Sequence, residues 1–179
     1  MMRRCLRGAL LASLATSLTF EGVKNARRLS GAAQKLPVLR TATLDNATQS
    51  DAAALLDLVV IDLRNEDEVA KGARKRSDAA RDFYARREPS LRRRPLLGDI
   101  DGFWTAVAEE APPLLWPRVA LLWSARPLNA ALSRALEDGG NAMLYKAILA
   151  SAPRTVGKAV LDVVDGVEGG ETVLFHCQK

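Results

Sequence analysis

At 179 residues, 48% of them hydrophobic and 5% aromatic, the chain has the size and apolar content of one domain, or of one domain behind a leader. Its two cysteines are too far apart and too few for a disulfide framework, which suits a reducing compartment, and with a single histidine they exclude a His/Cys zinc site. The net charge of +5 is uneven: residues 1–40 carry eight Lys/Arg against Glu21 alone, residues 71–94 carry ten against three acids, and residues 41–70 are acidic, a balance that fits phosphorylated groups, nucleic acid or membrane headgroups alike.

Residues 1–20 open with Arg3, Arg4 and Arg7, continue with Leu10, Leu11, Leu14 and Leu18 among small and hydroxyl residues, and contain no acid. That order fits a cleavable leader, secretory or organellar, and is too short and interrupted for a membrane span. An amphipathic first helix stays open as the structural alternative, and Cys5 is incidental to it. Residues 21–31 are polar and glycine-bounded, hence a loop. Leu36 to Ala42 reads as an extended segment with Pro37 at its edge. Thr48 to Asp51 has capping-box spacing, and Ala52 to Leu56 follow as a short helix. Asp57 to Leu63 is the strongest strand: Leu58, Val59, Val60 and Ile61 are a continuous apolar run, the mark of a strand buried on both faces. It closes on Asp62-Leu63-Arg64, and a helix followed by a strand with polar residues at its carboxyl end is the α/β pattern.

Residues 69–98 are dominated by Ala, Arg, Lys and Asp and include the triplet Arg92-Arg93-Arg94. They read as a basic insert, either a solvated helix or disordered; a basic flap over an anionic substrate is the functional alternative. Without regular aromatic interleaving, nucleic-acid binding is not expected. Residues 100–152 read as helical. Phe103, Trp104 and Val107 stand at helical spacing, Pro112, Pro113 and Pro117 interrupt, and residues 119–123 with Leu128, Leu132 and Leu136 continue the stripe to Gly139-Gly140. Trp104, Trp116 and Trp123 read as core or lid packing. Thr155 to Asp165 is the last helix, with Val156, Val160, Val163 and Val164 on one face.

The chain then turns at Gly166 and Gly169-Gly170 into Thr172 to Lys179. Val173, Leu174 and Phe175 predict a short buried strand, and it delivers the lone histidine, His176, beside Cys177. The carboxyl end of a buried strand is where open α/β sheets place their ligands. A cysteine there is also a common packing residue, and the thiol alone does not separate the two readings.

Four stretches taken in order carry a resemblance: Gly22-Val23-Lys24-Asn25-Ala26-Arg27, Leu39-Arg40-Thr41-Ala42, Val60-Ile61-Asp62-Leu63-Arg64, and Val173-Leu174-Phe175-His176-Cys177. Together they are similar to the bacterial and fungal-type tyrosine phosphatases of the cysteine-dependent class. In that family a G-V-x-N-F-R element, an L-R-S-A strand, an I-D-L-R strand end and a late H-C-x-x-G-K-D-R-T-G loop occur in this order. Met143 to Tyr145 also matches a helix of the family, and the resemblance covers residues 21–179. Two positions of the early element depart from the pattern: Ala26 stands where the family has an aromatic and Arg28 where it has an acid.

The resemblance implies a three-layer α/β domain over 21–179, with a mostly parallel central sheet flanked by helices and incomplete at the C-terminus, a basic insert at 69–98 and a helical lid over the site at 100–152. It implies Cys177 as the nucleophile, attacking phosphorus in line and leaving a phosphocysteine that water hydrolyses, with no metal and no cofactor. An ordinary thiol has a pKa of about 8.5, and the loop's backbone N–H groups and the next helix's start would lower it. His176, Gln178 and Lys179 would open that loop, and Asp62 and Arg64 would support it, Arg64 near substrate or a loop acid and Asp62 through a hydrogen bond. The structural alternative is that Asp62 and Arg64 pair with each other or with backbone. The family's loop also needs an Arg six residues after the Cys to grip phosphate bidentately, which Lys179 cannot replace. The expectation for the 179 residues as they stand is therefore a catalytically inert chain of an enzyme family, checked by reading the transcript past the codon for Lys179.

The expected partners are a phosphorylated protein or a small phosphate monoester, with no nucleic acid and no membrane association once a leader is removed, in the cytoplasm or an organelle, a secretory route staying open. Two other readings compete. Residues 60–68 with Gly72 resemble the strand-then-acidic-helix element of rhodanese-like sulfurtransferases, which also place a Cys after a strand, and a persulfide on Cys177 would favour them. A non-catalytic protein binding phosphate or acidic partners is the third.

Overall fold

The computed structural model describes residues 19–29, 36–110 and 125–178. Residues 1–18 of the expected leader with Cys5, the prolines Pro112, Pro113 and Pro117, Trp116, the apolar run 119–123 and Lys179 lie outside the described residues. The chain divides into two compact units, Met1–Pro95 with Gly157–Lys179, and Leu96–Val156.

The first unit is built on a five-stranded sheet: β1 (Arg27–Arg28), β2 (Val38–Thr41), β3 (Val59–Asp62), β4 (Arg92–Arg93) and β5 (Val173–His176). The spatial order is β1-β2-β5-β3-β4. Only β1 runs antiparallel to its neighbour; the β2–β5, β5–β3 and β3–β4 pairs are parallel. The expected α/β fold with a mostly parallel sheet is the one observed. The last strand in sequence sits in the middle of the sheet, which is why Val173 and Leu174 are a bare apolar run with no polar alternation: both are completely buried.

One expectation fails at the edge. Residues 21–31 are not all loop, because β1 lies within them. Asn25 takes the left-handed conformation (φ 56°), which asparagine tolerates better than most residues, and so turns the chain back to set Arg27 opposite Arg40.

The helices are α1 (Gln49–Leu55), α2 (Glu66–Ala73), α3 (Asp78–Arg87), α4 (Ile100–Glu110), α5 (Ala125–Ser151) and α6 (Pro153–Glu168). The capping box before α1 forms as its spacing predicts: Asp51 N–H donates to Thr48 Oγ1 (3.2 Å) and Thr48 N–H to Asp51 Oδ2 (3.0 Å). The same carboxylate accepts from the backbone of Glu21 and Gly22, tying the N-terminal segment to α1. A second box, Asn65 with Glu68, starts α2 directly after β3, and Ser77 caps α3.

Strand alternation separates two cores. Leu39, Leu174 and Val60 form one row across the sheet and face Leu55 of α1 and Phe83 and Tyr84 of α3. Val38, Val173 and Ile61 face the other way, with Val163 and Val167 of α6 against them. These are the three layers of this unit.

Of the two forms expected for residues 69–98, a solvated helix or a disordered insert, the structure has a helix, exposed on one side and buried on the other. α3 forms the middle third of the stretch and buries Ala80, Phe83 and Tyr84, and β4 joins the sheet. Two adjacent aromatics in a polar stretch supply the apolar payload, roughly 3–5 kcal/mol for a ring the size of Phe83. The basic triplet is also spent internally. Arg92 and Arg94 reach Asp162 of α6 (3.4 Å and 2.7 Å), while Arg93, pointing to the other face, meets Glu88 (2.9 Å). A flap of three uncommitted cations over a substrate is therefore not what this segment forms.

The second unit packs α4 on α5. Phe103, Ala106 and Val107 meet Met143 and Ala147, and Trp104 stands edge-on to Phe103 with ring centroids 5.3 Å apart. α5 is two helices that meet at a kink at Gly140 (φ 58°, ψ −154°), a backbone state reserved for glycine, so the stop expected at Gly139-Gly140 is observed.

Candidate active site

Three parallel strands end in one polar row. Thr41 of β2, His176 of β5 and Asp62 of β3 are register partners at the carboxyl edge of the sheet, and all three side chains are buried at 1% exposure or less. Alternation from Leu39, Leu174 and Val60 points them toward the α1/α3 layer.

Arg64 organises what lies there. Two residues beyond Asp62, its guanidinium folds back onto that carboxylate, with Nε donating to Oδ1 (3.0 Å) and Nη2 to Oδ2 (2.8 Å). Nη2 also donates to the Tyr84 hydroxyl (2.9 Å), and Nη1 donates to Thr43 Oγ1 (3.1 Å) and Asp45 Oδ2 (2.8 Å). A guanidinium has five N–H donors, and five acceptors take them. Arg76 extends the cluster: Nε donates to Asp45 Oδ1 (2.9 Å), and its guanidinium lies 3.8 Å above the Tyr84 ring. Gly72 of α2 is packed so tightly against this pair that a Cβ there would strike Asp45 and approach Arg64.

The energetics follow from burial. Desolvation works against the Asp62 charge, but the Arg64 hydrogen bonds and nearby positive charge outweigh it and hold the carboxyl below its ordinary range. Desolvation likewise opposes the Arg64 charge, and Asp62, Tyr84 and Asp45 together hold it on more firmly than usual. Burial pushes the Tyr84 hydroxyl up. Breaking such a buried cluster from one side costs about 3–5 kcal/mol, because the remaining charge is stranded.

His176 is completely buried beside the cluster, with Nε2 3.6 Å from Asp62 Oδ2 and neither ring nitrogen in hydrogen-bond geometry. Burial depresses its pKa to about 4 against the pull of Asp62, so the ring is neutral at pH 7 and the contact is not an ion pair.

Cys177 follows at once, half-buried and present as a thiol. The ladder carries one bond past the strand, Leu63 N–H donating to His176 O (3.0 Å), so the peptide that leads into Cys177 is fixed to the exit of β3. Gln178 is exposed, and Lys179 lies outside the described residues.

The structure thus brings Asp62, Arg64, His176 and Cys177 to one end of the sheet. Asp62 and Arg64 pair with each other, and every Arg64 donor is engaged inside the protein. Sequence reasoning missed Thr41, Thr43, Asp45, Arg76 and Tyr84. Thr43 and Asp45 had a signal, two polar residues just past a strand's carboxyl end; Arg76 and Tyr84 were hidden in a stretch that reads as basic and exposed.

An open, mostly parallel sheet flanked by helices, with Cys177 just past its central strand and a buried acid–arginine pair at the end of the neighbouring strand, makes this an α/β protein with a polar cluster at the carboxyl edge of its sheet. A sequence model of the tyrosine phosphatase family matches residues 18–179, and the chain belongs to that family. No curated protein matches the chain. No solved structure matches it.

Proposed function

We propose that the protein hydrolyses phosphate monoesters through a phosphocysteine on Cys177. Membership of the tyrosine phosphatase family supports phosphatase chemistry on phosphorylated substrates in general. The observation that carries the finer reading is the position of Cys177 at the exit of the central parallel strand, with the preceding peptide fastened to Leu63. In the proposed reaction the thiolate attacks phosphorus, the P–O bond to the leaving group breaks, and the alkoxide or phenoxide takes up a proton. Water then displaces the cysteine sulfur and releases inorganic phosphate.

In this reading Asp62 and Arg64 are positioning residues. They brace the end of β3 that carries Leu63, and through it the His176–Cys177 peptide. His176, as a neutral buried ring, contributes packing beneath the thiol and no charge.

The test is turnover of a phosphotyrosyl peptide by the protein expressed from its natural gene. Cys177→Ser is expected to lower kcat at least about 10³-fold with the folded spectrum kept, since serine is a far weaker nucleophile at neutral pH. Rapid acid quench of the natural protein should trap phosphate on Cys177. Turnover in Cys177→Ser within tenfold of the natural rate would sink the proposal.

A further inference from the structure

β1 and β2 set two arginines directly opposite each other, Arg27 against Arg40. Facing residues of an antiparallel pair have Cα atoms roughly 4.5–5.5 Å apart, and like charges there destabilise the pairing. Neither side chain has an ion pair or hydrogen bond among the described residues. The contrast within the same sheet is direct. At the opposite edge Arg92 and Arg94 share Asp162, so the cations that brace that edge carry their own acid. Arg27 and Arg40 do not.

Alternation places this pair. Leu39 points into the α1/α3 core, so Arg40 points to the other face, with its register neighbour Phe175 and with Ile61. Arg27 shares that face with Leu29, which packs in the same apolar cluster. Cys177 follows the last residue of β5, and a strand continued to it would set it on the side of Phe175. One strand spacing across and two residues along, the Cα atoms of Arg40 and Cys177 lie roughly 8 Å apart, within reach of an arginine side chain. Arg27 is exposed and Arg40 half-buried, so neither side chain is sealed from solvent.

We propose that Arg27 and Arg40 form an oxyanion-binding pair on the α6 side of the sheet, beside Cys177, that takes a phosphate-class group. Two guanidiniums converging on one anion give charge-assisted, bidentate hydrogen bonds and cancel the repulsion that the strand register imposes. The pair does not depend on Cys177 being a nucleophile. If the thiol is one, the same pair favours ligands that carry a second anionic group.

The experiment is thermal unfolding of the full chain in sodium phosphate against sodium chloride at matched ionic strength, for the unmodified protein and for Arg27→Gln, Arg40→Gln and Cys177→Ser. Phosphate is expected to raise the melting temperature of the unmodified protein by about 2–4 °C, and a rise is expected to remain in Cys177→Ser. Each Gln variant should weaken the phosphate dissociation constant at least fivefold while starting at a higher melting temperature in chloride, because the repulsion is gone. Arg40→Lys keeps the charge and guards against misfolding: it should weaken phosphate binding without the gain in chloride. Constants unchanged within twofold in both Gln variants, no phosphate effect in the unmodified protein, or a lower melting temperature of the Gln variants in chloride would each overturn the pair. A phosphate effect lost only in Cys177→Ser would also overturn it, by placing the anion at the thiol alone.

Discussion

The two faces of the sheet end differently at the same carboxyl edge. Toward α1 and α3, the row Thr41, His176 and Asp62 is sealed under Arg64, Asp45, Arg76 and Tyr84, and every donor of the central guanidinium is spent on the protein itself. Toward α6, the corresponding side holds Arg40, Phe175 and Ile61, with Arg27 alongside, and its cations near Cys177 have no internal acid. The first face holds the strand ends in place; the second meets the ligand. A single strand supplies both because side chains alternate, so His176 belongs to the closed face and its neighbour Phe175 to the open one.

The sharpest way to break this division is to remove the centre of the closed face. Arg64→Ala strands Asp62 and leaves Asp45 with Arg76 alone, in a site where Arg64 has no exposed side-chain surface. The expected loss is about 3–5 kcal/mol, a fall in melting temperature on the order of 10 °C for a chain of this size. Arg64→Lys should recover little, since one ammonium cannot span Asp62, Tyr84, Thr43 and Asp45 together. Calorimetry decides: a fall below about 2 °C in Arg64→Ala would show that the network is ornamental to stability.

The next effect is a pH dependence. His176 is held neutral with its pKa depressed to about 4 against an unfolded value near 6.5. Below the unfolded value the unfolded chain binds a proton that the folded chain refuses, so stability is complete above about pH 6.5 and falls as pH drops toward 4. The loss is on the order of 3 kcal/mol across that window. Asp62, with its carboxyl held low, adds its own loss as pH falls through the ordinary carboxylate range and below it. In His176→Asn the slope between pH 6.5 and 4 should flatten, at the expense of overall stability. A slope identical to the unmodified protein's would assign it to other groups and remove His176 from the closed face's energetics.

The strands and caps of this edge were legible in the sequence because each rests on a local rule. Leu58 to Ile61 is a continuous apolar run, Thr48 with Asp51 is a spacing, and Val173 to Phe175 is a buried strand whatever surrounds it. The side-chain network was not legible, because its members come from segments 19 to 31 residues apart and only the fold brings Thr43, Asp45, Arg64 and Arg76 together. Composition misled most at residues 69–98. Arginine-rich sequence reads as solvated, yet period-two alternation in Arg92 to Arg94 sends the charges to opposite faces, where Asp162 and Glu88 receive them. The edge strand β1 was missed because two arginines carry no hydrophobic period at all.

The smallest effect tests the far edge of the open face. Asp162 serves Arg92 and Arg94, whose side chains are about a third exposed, so solvent already screens much of the attraction. Asp162→Ala is expected to cost no more than about 1 kcal/mol, or roughly 2–4 °C. The sign carries the information. A loss here with a gain in Arg40→Gln in chloride means that one edge of the sheet uses its arginines as structure and the other keeps them for an anion. A loss at both edges would make all four arginines structural, and the open face would then be open at Cys177 alone.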